Sequence, residues 1–205
     1  VNREVFARNE IHNLNGGVLH LGAHEAEELG FYEQIGAKFV VWVEANPHKW
    51  PILDHKLGIG HHVVKAAISD TVGKADLLLY SHADNNSLLS CGQKMPNGVY
   101  EVGKVQVDTI TVDKLLLETP FGFNSYALLT MDVQGFELHA LQGADWFLKN
   151  SGVKYIYTEV IWVEYYKDCV TQQQYIDFLQ PYGFELVDMD REGGAEWGNL
   201  LFKKR

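Results

Sequence analysis

The sequence predicts an α/β protein built on a doubly wound, mostly parallel sheet, and three observations carry that expectation. The first is the stretch Val18–Asn46, VLHLGAHEAEELGFYEQIGAKFVVWVEAN. An apolar-biased run (Val18–Leu21) meets a small-residue turn at Gly22 and Ala23. An amphipathic segment follows, with apolar positions at Ala26, Leu29, Tyr32 and Ile35, and then Phe39–Val43 ends on Glu44. That is the order of a parallel βαβ unit. The second is the recurrence of short apolar runs closed by an acid, at Ala127–Asp132 and Tyr155–Glu159. The third is the tally of about seven strands with helices between most of them, which favours helices on both faces of one sheet.

The elements follow in order. Val1–Asn15 mixes charges and asparagines around Val5, Phe6, Ile11 and Leu14, enough for a short leading helix. Beyond Glu44, Asn46 can cap a helix whose first residue is Pro47. Pro51 removes an early hydrogen bond and shifts the expected start toward itself, and Gly58 and Gly60 end the helix. His62–Ile68 reads as a third buried strand, followed by Ser69 and Asp70. In a parallel sheet Asp70 would join Gly22 and Glu44 on one edge. Lys74–Tyr80 reads as an extra strand entered through a turn at Asp70–Gly73. Residues 81–102, rich in Asn, Ser and Gly, read as a long loop of the kind that serves as a lid or substrate loop.

Val105–Ile110 alternates cleanly and predicts a strand. Thr111 caps a short helix to Leu117. Ala127–Asp132 predicts a buried strand that turns through Val133, Gln134 and Gly135 into one helix, Phe136–Leu148. Tyr155–Glu159 is the next strand, and Thr171–Leu179 is a helix punctuated by Pro181 and Gly183. Phe184–Met189 and Asn199–Lys203 close the chain as an antiparallel pair around the glycine-rich Arg191–Gly198. A length of 205 residues suits one domain over 1–205.

Composition narrows the function. A net charge of −10 argues against a nucleic-acid backbone or an anionic membrane face as the main partner and favours a neutral or cationic substrate. The two cysteines, Cys91 and Cys169, have neither metal-finger spacing nor the number a disulfide scaffold needs. Apolar runs of about five residues fall far short of the roughly 18 that a membrane span requires. With no leader-like segment visible, these features predict a cytoplasmic protein.

The first turn of a βαβ unit sends backbone N–H groups and a helix N-terminus beyond the strand ends, and the second strand delivers a side chain there. Glu44 is that side chain. It lies 22 residues beyond Gly22, close to the roughly 20-residue offset at which an acid reaches a nucleotide ribose. A carboxylate can accept from two adjacent hydroxyls at once. The turn carries only one of the three glycines of the dinucleotide fingerprint, which disfavours NAD and prefers a cofactor without a pyrophosphate. Nine histidines raise the question of a metal. His20 and His24 flank the turn and His61 and His62 are adjacent, but no pair has a matched third ligand, so no metal-ligating residues are predicted.

Four consecutive elements resemble the FkbM-like, S-adenosylmethionine-dependent methyltransferases. The residues that carry the likeness are HLGAHEAEELGFY, VWVEANP, AAISD with TVGKADL, the NNSLL loop with VQVDTITVDKLL, MDVQGFELHALQGA with YTEV, and WGNLLF. The Asp-Val-x-Gly-x-Glu block at Asp132–Glu137 is the most specific of them. The family's more usual first motif begins with Asp and has Gly after the turn, where this chain has His20 and Ala26. Alanine tolerates helical angles, so helical backbone is expected at Ala26.

The resemblance implies a Rossmann-like class I methyltransferase fold, with a seven-stranded mostly parallel sheet and an antiparallel C-terminal strand. It implies S-adenosyl-L-methionine as cofactor and methyl transfer to a hydroxyl on a sugar, a glycan or a related small molecule. Gly22, Ala23 and His24 would lie near the cofactor's methionine end. Glu44 would hold the ribose with Ala45 beside it, and Asp70 would meet the adenine amino group with Ile68 and Ser69 beside the ring. Asp132 and Glu159, ending neighbouring strands, would stand at the same edge as candidate catalytic residues. Three uses compete for them: general base, joint ligands of a divalent cation, or carboxylates facing the cofactor's positive charge.

Asn86 and Ser87 with neighbouring Asn85, Glu137, Trp197 and Asn199 are candidates for acceptor binding. Glu137 serves equally well as a helix N-terminal complement. Trp162, Tyr165 and Tyr166 can form either a sugar-stacking wall or ordinary helix packing. Two other functions fit the same residues: a cofactor-binding scaffold that has lost chemistry, and a metal-dependent hydrolase using Asp132, Glu159 and a histidine. Neither the oligomeric state nor the acceptor is encoded in any motif.

Overall fold

The computed structural model describes residues 1–58, 61–191 and 194–205. Seven strands form one sheet: β1 (Gly17–Leu21), β2 (Val40–Val43), β3 (His61–Val64), β7 (Tyr126–Met131), β8 (Tyr155–Ile161), β9 (Phe184–Asp190) and β10 (Trp197–Lys204). Their spatial order is β3-β2-β1-β7-β8-β10-β9. All pairings are parallel except those of β10, which runs antiparallel to both β8 and β9. β4 (Ala67–Ile68), β5 (Gly73–Tyr80) and β6 (Glu101–Ile110) make a second, three-stranded sheet in the order β4-β6-β5.

Period-2 alternation splits the strand side chains between two cores. Leu19, Leu21, Val41, Val43, Leu129 and Met131 face one side. There they pack against α4 (Val112–Glu118), α5 (Glu137–Gln142), α6 (Asp145–Asn150) and α7 (Gln172–Leu179). Val18, Val40, Trp42 and Leu128 face the other, against α1 (Arg3–Arg8), α2 (Leu29–Gln34) and α3 (Trp50–Lys56). Every residue of β1, β2 and β7 is buried, which is why these runs read as continuous hydrophobes. No helix among the described residues is long and apolar enough to cross a membrane.

Four expectations need correction. α2 starts at Leu29 rather than Ala26, because His24 (φ 45°) and Ala26 (φ 53°) adopt left-handed backbone and make residues 22–28 a loop. The run His62–Ile68 is not one strand. It divides after Val64, where β3 leaves the large sheet and β4 joins β6 in the small one. β6 starts at Glu101, extended by antiparallel pairing with β5, so the long loop gives up its last two residues to a strand. The helix expected over Phe136–Leu148 is two helices, α5 and α6, parted at Gly143 and Ala144. α3 begins beside Pro51, at Trp50, while Asn46 accepts from the His48 N–H in a turn just before it (3.0 Å). Gly60, expected to help end that helix, lies outside the described residues.

β1 is hydrogen-bonded to β2 on one side and β7 on the other. The chain runs outward from β1 through β2 to β3, then returns to start again at β7. Loops after β1 and β7 therefore diverge, and the crevice between them beyond the strand ends is where open α/β sheets bind ligands.

Candidate active site

The loop after β1 is anchored by backbone. The N–H groups of Gly22 and Ala23 both donate to the Val43 carbonyl, each at 2.9 Å. Gly22 has φ +86°, and a Cβ there would collide with the carbonyl oxygen of Asp132. Glycine is thus what lets the β1 turn approach the end of β7. His20 lies beneath this turn. It is buried, stacks on Trp42 at 5.0 Å between ring centroids, and has Nδ1 2.9 Å from the Tyr32 hydroxyl. Burial lowers its pKa to about 4, so the imidazole is neutral.

Glu44 follows β2 at the same rim. Its Oε2 accepts from the His24 N–H and its Oε1 from the Asn46 N–H, both at 2.7 Å. Only 8% of the residue is exposed. Burial raises the carboxyl pKa against the opposing pull of the Asn46 and His24 N–H groups. The left-handed backbone at His24 belongs to the loop that turns this N–H toward Glu44. The His24 ring lies between two more acids, with Nδ1 2.7 Å from Glu27 Oε1 and Nε2 3.1 Å from Asp84 Oδ1.

Across the crevice, Asp132 follows β7 and Glu159 lies on β8. Gln134 Nε2 donates to Asp132 Oδ1 (2.6 Å) and to Glu159 Oε2 (3.2 Å). The amide is oriented by the Tyr166 hydroxyl, 2.8 Å from Gln134 Oε1, and Ser87 Oγ donates to the Gln134 carbonyl at 2.7 Å. Asp132 is open to the crevice, and desolvation by the surrounding walls raises its pKa, partly offset by the Gln134 hydrogen bond. Glu159 is pushed well above the ordinary carboxylate range by burial, with Asp132 and Glu137 adding like charge.

These groups line one cavity of about 570 Å³. Ala67, Ile68 and Leu77 form an apolar wall near Glu44, and Tyr165, Trp197 and Asn199 stand beside Glu159. A model of the FkbM methyltransferase domain matches residues 19–186 of the sequence. The chain belongs to this family.

Solved structures agree at the level of fold. An FkbM methyltransferase from Methylobacillus flagellatus superposes with a TM-score of 0.59 at 14% identity over 93% of this chain, which spans 44% of that protein's length. A magnesium protoporphyrin IX methyltransferase from Synechocystis, solved with S-adenosylmethionine bound, superposes with a TM-score of 0.53 at 9% identity. That match covers 99% of this chain and 76% of the other. No curated protein matches the sequence.

Thirteen of the cofactor, catalytic and acceptor candidates line the cavity of this FkbM domain: Gly22, Ala23, His24, Glu44, Ala45, Ile68, Asn85, Asn86, Ser87, Asp132, Glu159, Trp197 and Asn199. Three do not. Ser69 donates its hydroxyl to Asp70, and Asp70 is exposed, 3.7 Å from His139. Pairing of β4 with β6 sends the chain after Ile68 away from the crevice and toward α5. Glu137 is the third. Its Oε1 accepts from the N–H groups of Val133 (2.9 Å) and Gly135 (3.2 Å), and Oε2 from the Tyr175 hydroxyl (3.1 Å). It braces the turn behind Asp132 rather than facing an acceptor, and burial pushes its pKa up to about 7.

Tyr166 is buried as a support for Gln134, and Trp162 packs under Arg191, so only Tyr165 of that aromatic trio reaches the cavity. Glu28, Asp84, Gln134 and Tyr157 also line it and were missed by sequence reasoning. Gln134 had a signal, its place inside the Asp-Val-x-Gly-x-Glu block. The others come from separate loops and strands that only the fold assembles. Among the described residues, no group of three or more His, Cys, Asp or Glu could hold a metal ion. The ligand set of a metal-dependent hydrolase is thus not gathered there.

Proposed function

We propose that this FkbM domain transfers the methyl group of S-adenosyl-L-methionine to a hydroxyl on a sugar, glycan or related small molecule. The observation that carries the reading is that the glycine turn, Glu44, Asp132 and Glu159 face one cavity at the switch point of the sheet. The cavity fits such a cofactor in chemistry: an apolar wall at Ala67, Ile68 and Leu77 for a flat ring, a fixed carboxylate at Glu44 for vicinal hydroxyls, and further acids beyond it. When bound, S-adenosylmethionine supplies a methyl group on a positively charged sulfur.

Each side chain then has a task. Glu44, with both oxygens already held by backbone N–H groups, accepts from ribose hydroxyls through its remaining lone pairs. Asp132 stands at the cofactor and acceptor, and takes the proton of the attacking hydroxyl at the oxygen that Gln134 does not occupy. Glu159 shares the Gln134 amide, its carboxyl pushed upward by burial and by the neighbouring acids. Asn86, Ser87 and Asn199 surround the acceptor end. Holding oxygen and methyl in line is itself worth several kcal/mol.

Calorimetric titration with S-adenosylhomocysteine tests the reading. Saturable heat is expected, and no heat at millimolar ligand from folded protein would overturn it. Incubation with methyl-labelled donor and fractionated glycans then identifies the acceptor by the fraction that takes up label.

A further inference from the structure

Six carboxylates line the cavity, those of Glu27, Glu28, Glu44, Asp84, Asp132 and Glu159, and among the described residues no lysine or arginine does. The α-ammonium of Val1, which does line it, is paired with Glu28 at 3.3 Å. Lys49 is paired with Glu25 at 2.6 Å, and the Arg191 guanidinium lies over the Trp162 ring at 4.3 Å with its Nε donating to the Ala195 carbonyl. The His24 ring already has Glu27 Oε1 at 2.7 Å and Asp84 Oδ1 at 3.1 Å from its two nitrogens. A phosphate on an acceptor at the end beside Asp132 and Glu159 would meet carboxylates and, among the described lining residues, no lysine or arginine fork to bind it.

The end of the cavity beside Glu159 has the opposite suitability. Trp197 and Tyr165 stand there, joined through Glu196, whose carboxylate accepts from the Tyr165 hydroxyl at 2.9 Å. Trp197 is 52% exposed although it is a large aromatic residue, which leaves ring face for a ligand. Asn85 and Asn86 also line the cavity, and their side-chain amide nitrogens make no hydrogen bond among the described residues. An aromatic face, uncommitted amide donors and carboxylate acceptors together match a ring that presents a C–H face and several hydroxyls.

Resting on the methyl-transfer reading above, we propose that the acceptor is a sugar ring without phosphate or carboxylate substituents, seated against Trp197 and Tyr165. A reaction that strips the anionic group, glycosyl transfer from a nucleotide-activated donor or phosphate-ester hydrolysis, must then supply the substrate before methylation. The balance of the methylation is unchanged: an O–CH3 bond forms, the S–CH3 bond breaks, and the hydroxyl proton goes to Asp132.

The test uses the full chain saturated with S-adenosylhomocysteine and reads ligand binding by saturation-transfer NMR. The probes are methyl glycosides of neutral hexoses and 6-deoxyhexoses, each paired with the same sugar as its 1-phosphate and as its nucleoside diphosphate conjugate. At least one neutral glycoside is expected to bind, with its phosphorylated partners weaker by roughly tenfold or more at low salt. That gap should narrow as added salt screens the wall. Trp197→Ala should lower the glycoside affinity while S-adenosylhomocysteine still binds as before. Equal or tighter binding of a sugar phosphate, or no response from any neutral glycoside, overturns the inference and leaves the methyltransferase reading standing. Failure of S-adenosylhomocysteine itself to bind would instead fell that reading.

Discussion

Glu44 and the pair Asp132–Glu159 are acids at one rim, Glu44 and Glu159 buried and Asp132 exposed, yet they are held in opposite ways. Glu44 has an N–H from the backbone on each oxygen, from His24 and Asn46. Asp132 and Glu159 share a single side-chain amide, that of Gln134, which is itself set by Tyr166. Backbone fixes a group without adjustable parts and suits recognition. A side-chain amide that serves two acids can shift with small movements as either acid changes its charge, which suits chemistry. The two halves of the cavity thus differ in rigidity, and substitutions should separate them.

The largest expected effect falls on the adjustable half. Asp132→Asn keeps the shape and the Gln134 neighbour but removes the base, so the turnover rate with the acceptor found by labelling should fall by about 10²–10⁴. Affinity for S-adenosylhomocysteine should change by much less, about tenfold at most. An equal loss in both would place Asp132 in binding and erase the distinction.

Next is the brace behind that half. Glu137→Ala strands the buried N–H groups of Val133 and Gly135 and the Tyr175 hydroxyl, at about 2–4 kcal/mol of stability by urea denaturation. Glu137→Gln keeps an acceptor for both N–H groups and exposes the charge term alone. The folded carboxyl titrates near 7 instead of 4.5. The folded state therefore holds the proton more tightly, and Glu137's contribution is fully present below about 4.5 and lost as pH rises through about 7. Relative to wild type, the variant should gain about 1–3 kcal/mol between pH 4.5 and pH 8. A flat difference across that range would mean that the burial of Glu137 carries no charge penalty.

The backbone-held half should respond in binding rather than rate. Glu44→Ala should weaken S-adenosylhomocysteine by about 1–3 kcal/mol in calorimetry, with turnover at saturating donor much less affected. Unchanged affinity would remove Glu44 from the cofactor's path.

The same contrast explains what could be read from the sequence. Glu44 and Gly22 were legible because a βαβ unit fixes their positions through local spacing, and Asp132 because it closes a buried run; Glu159, expected to end its strand, sits inside β8, which continues through buried Val160 and Ile161. Asp70 was misplaced because nothing in Lys65-Ala66 marks the point where the chain changes sheets; that is decided by β4 pairing with β6, over 40 residues away. The break between α5 and α6 is equally non-local. The Asp113 carboxylate, from α4, accepts from the N–H groups of Trp146 (2.8 Å) and Phe147 (2.9 Å) and so caps a second helix start inside what reads as one helix. Ala26 fails for another reason. Alanine carries no local mark of a left-handed conformation, and its φ of 53° comes from the loop that presents His24 to Glu44.

That residue supplies the smallest predicted effect. Left-handed backbone costs alanine roughly 1–2 kcal/mol, which Ala26→Gly would relieve. Glycine would also lose a methyl group that is fully buried among Ala23, Phe31 and Tyr32, about 0.8 kcal/mol, and would add about 0.5–1 kcal/mol of unfolded-state entropy. The terms nearly cancel, so the urea midpoint should move by no more than about 0.5 kcal/mol in equivalent stability, and S-adenosylhomocysteine affinity should hold. Ala26→Val, branched at a positive φ, should destabilise by about 1–3 kcal/mol. If glycine proved as damaging as valine, packing of the methyl rather than backbone conformation would be what shapes the loop, and the rigidity assigned to the Glu44 half would rest on side chains after all.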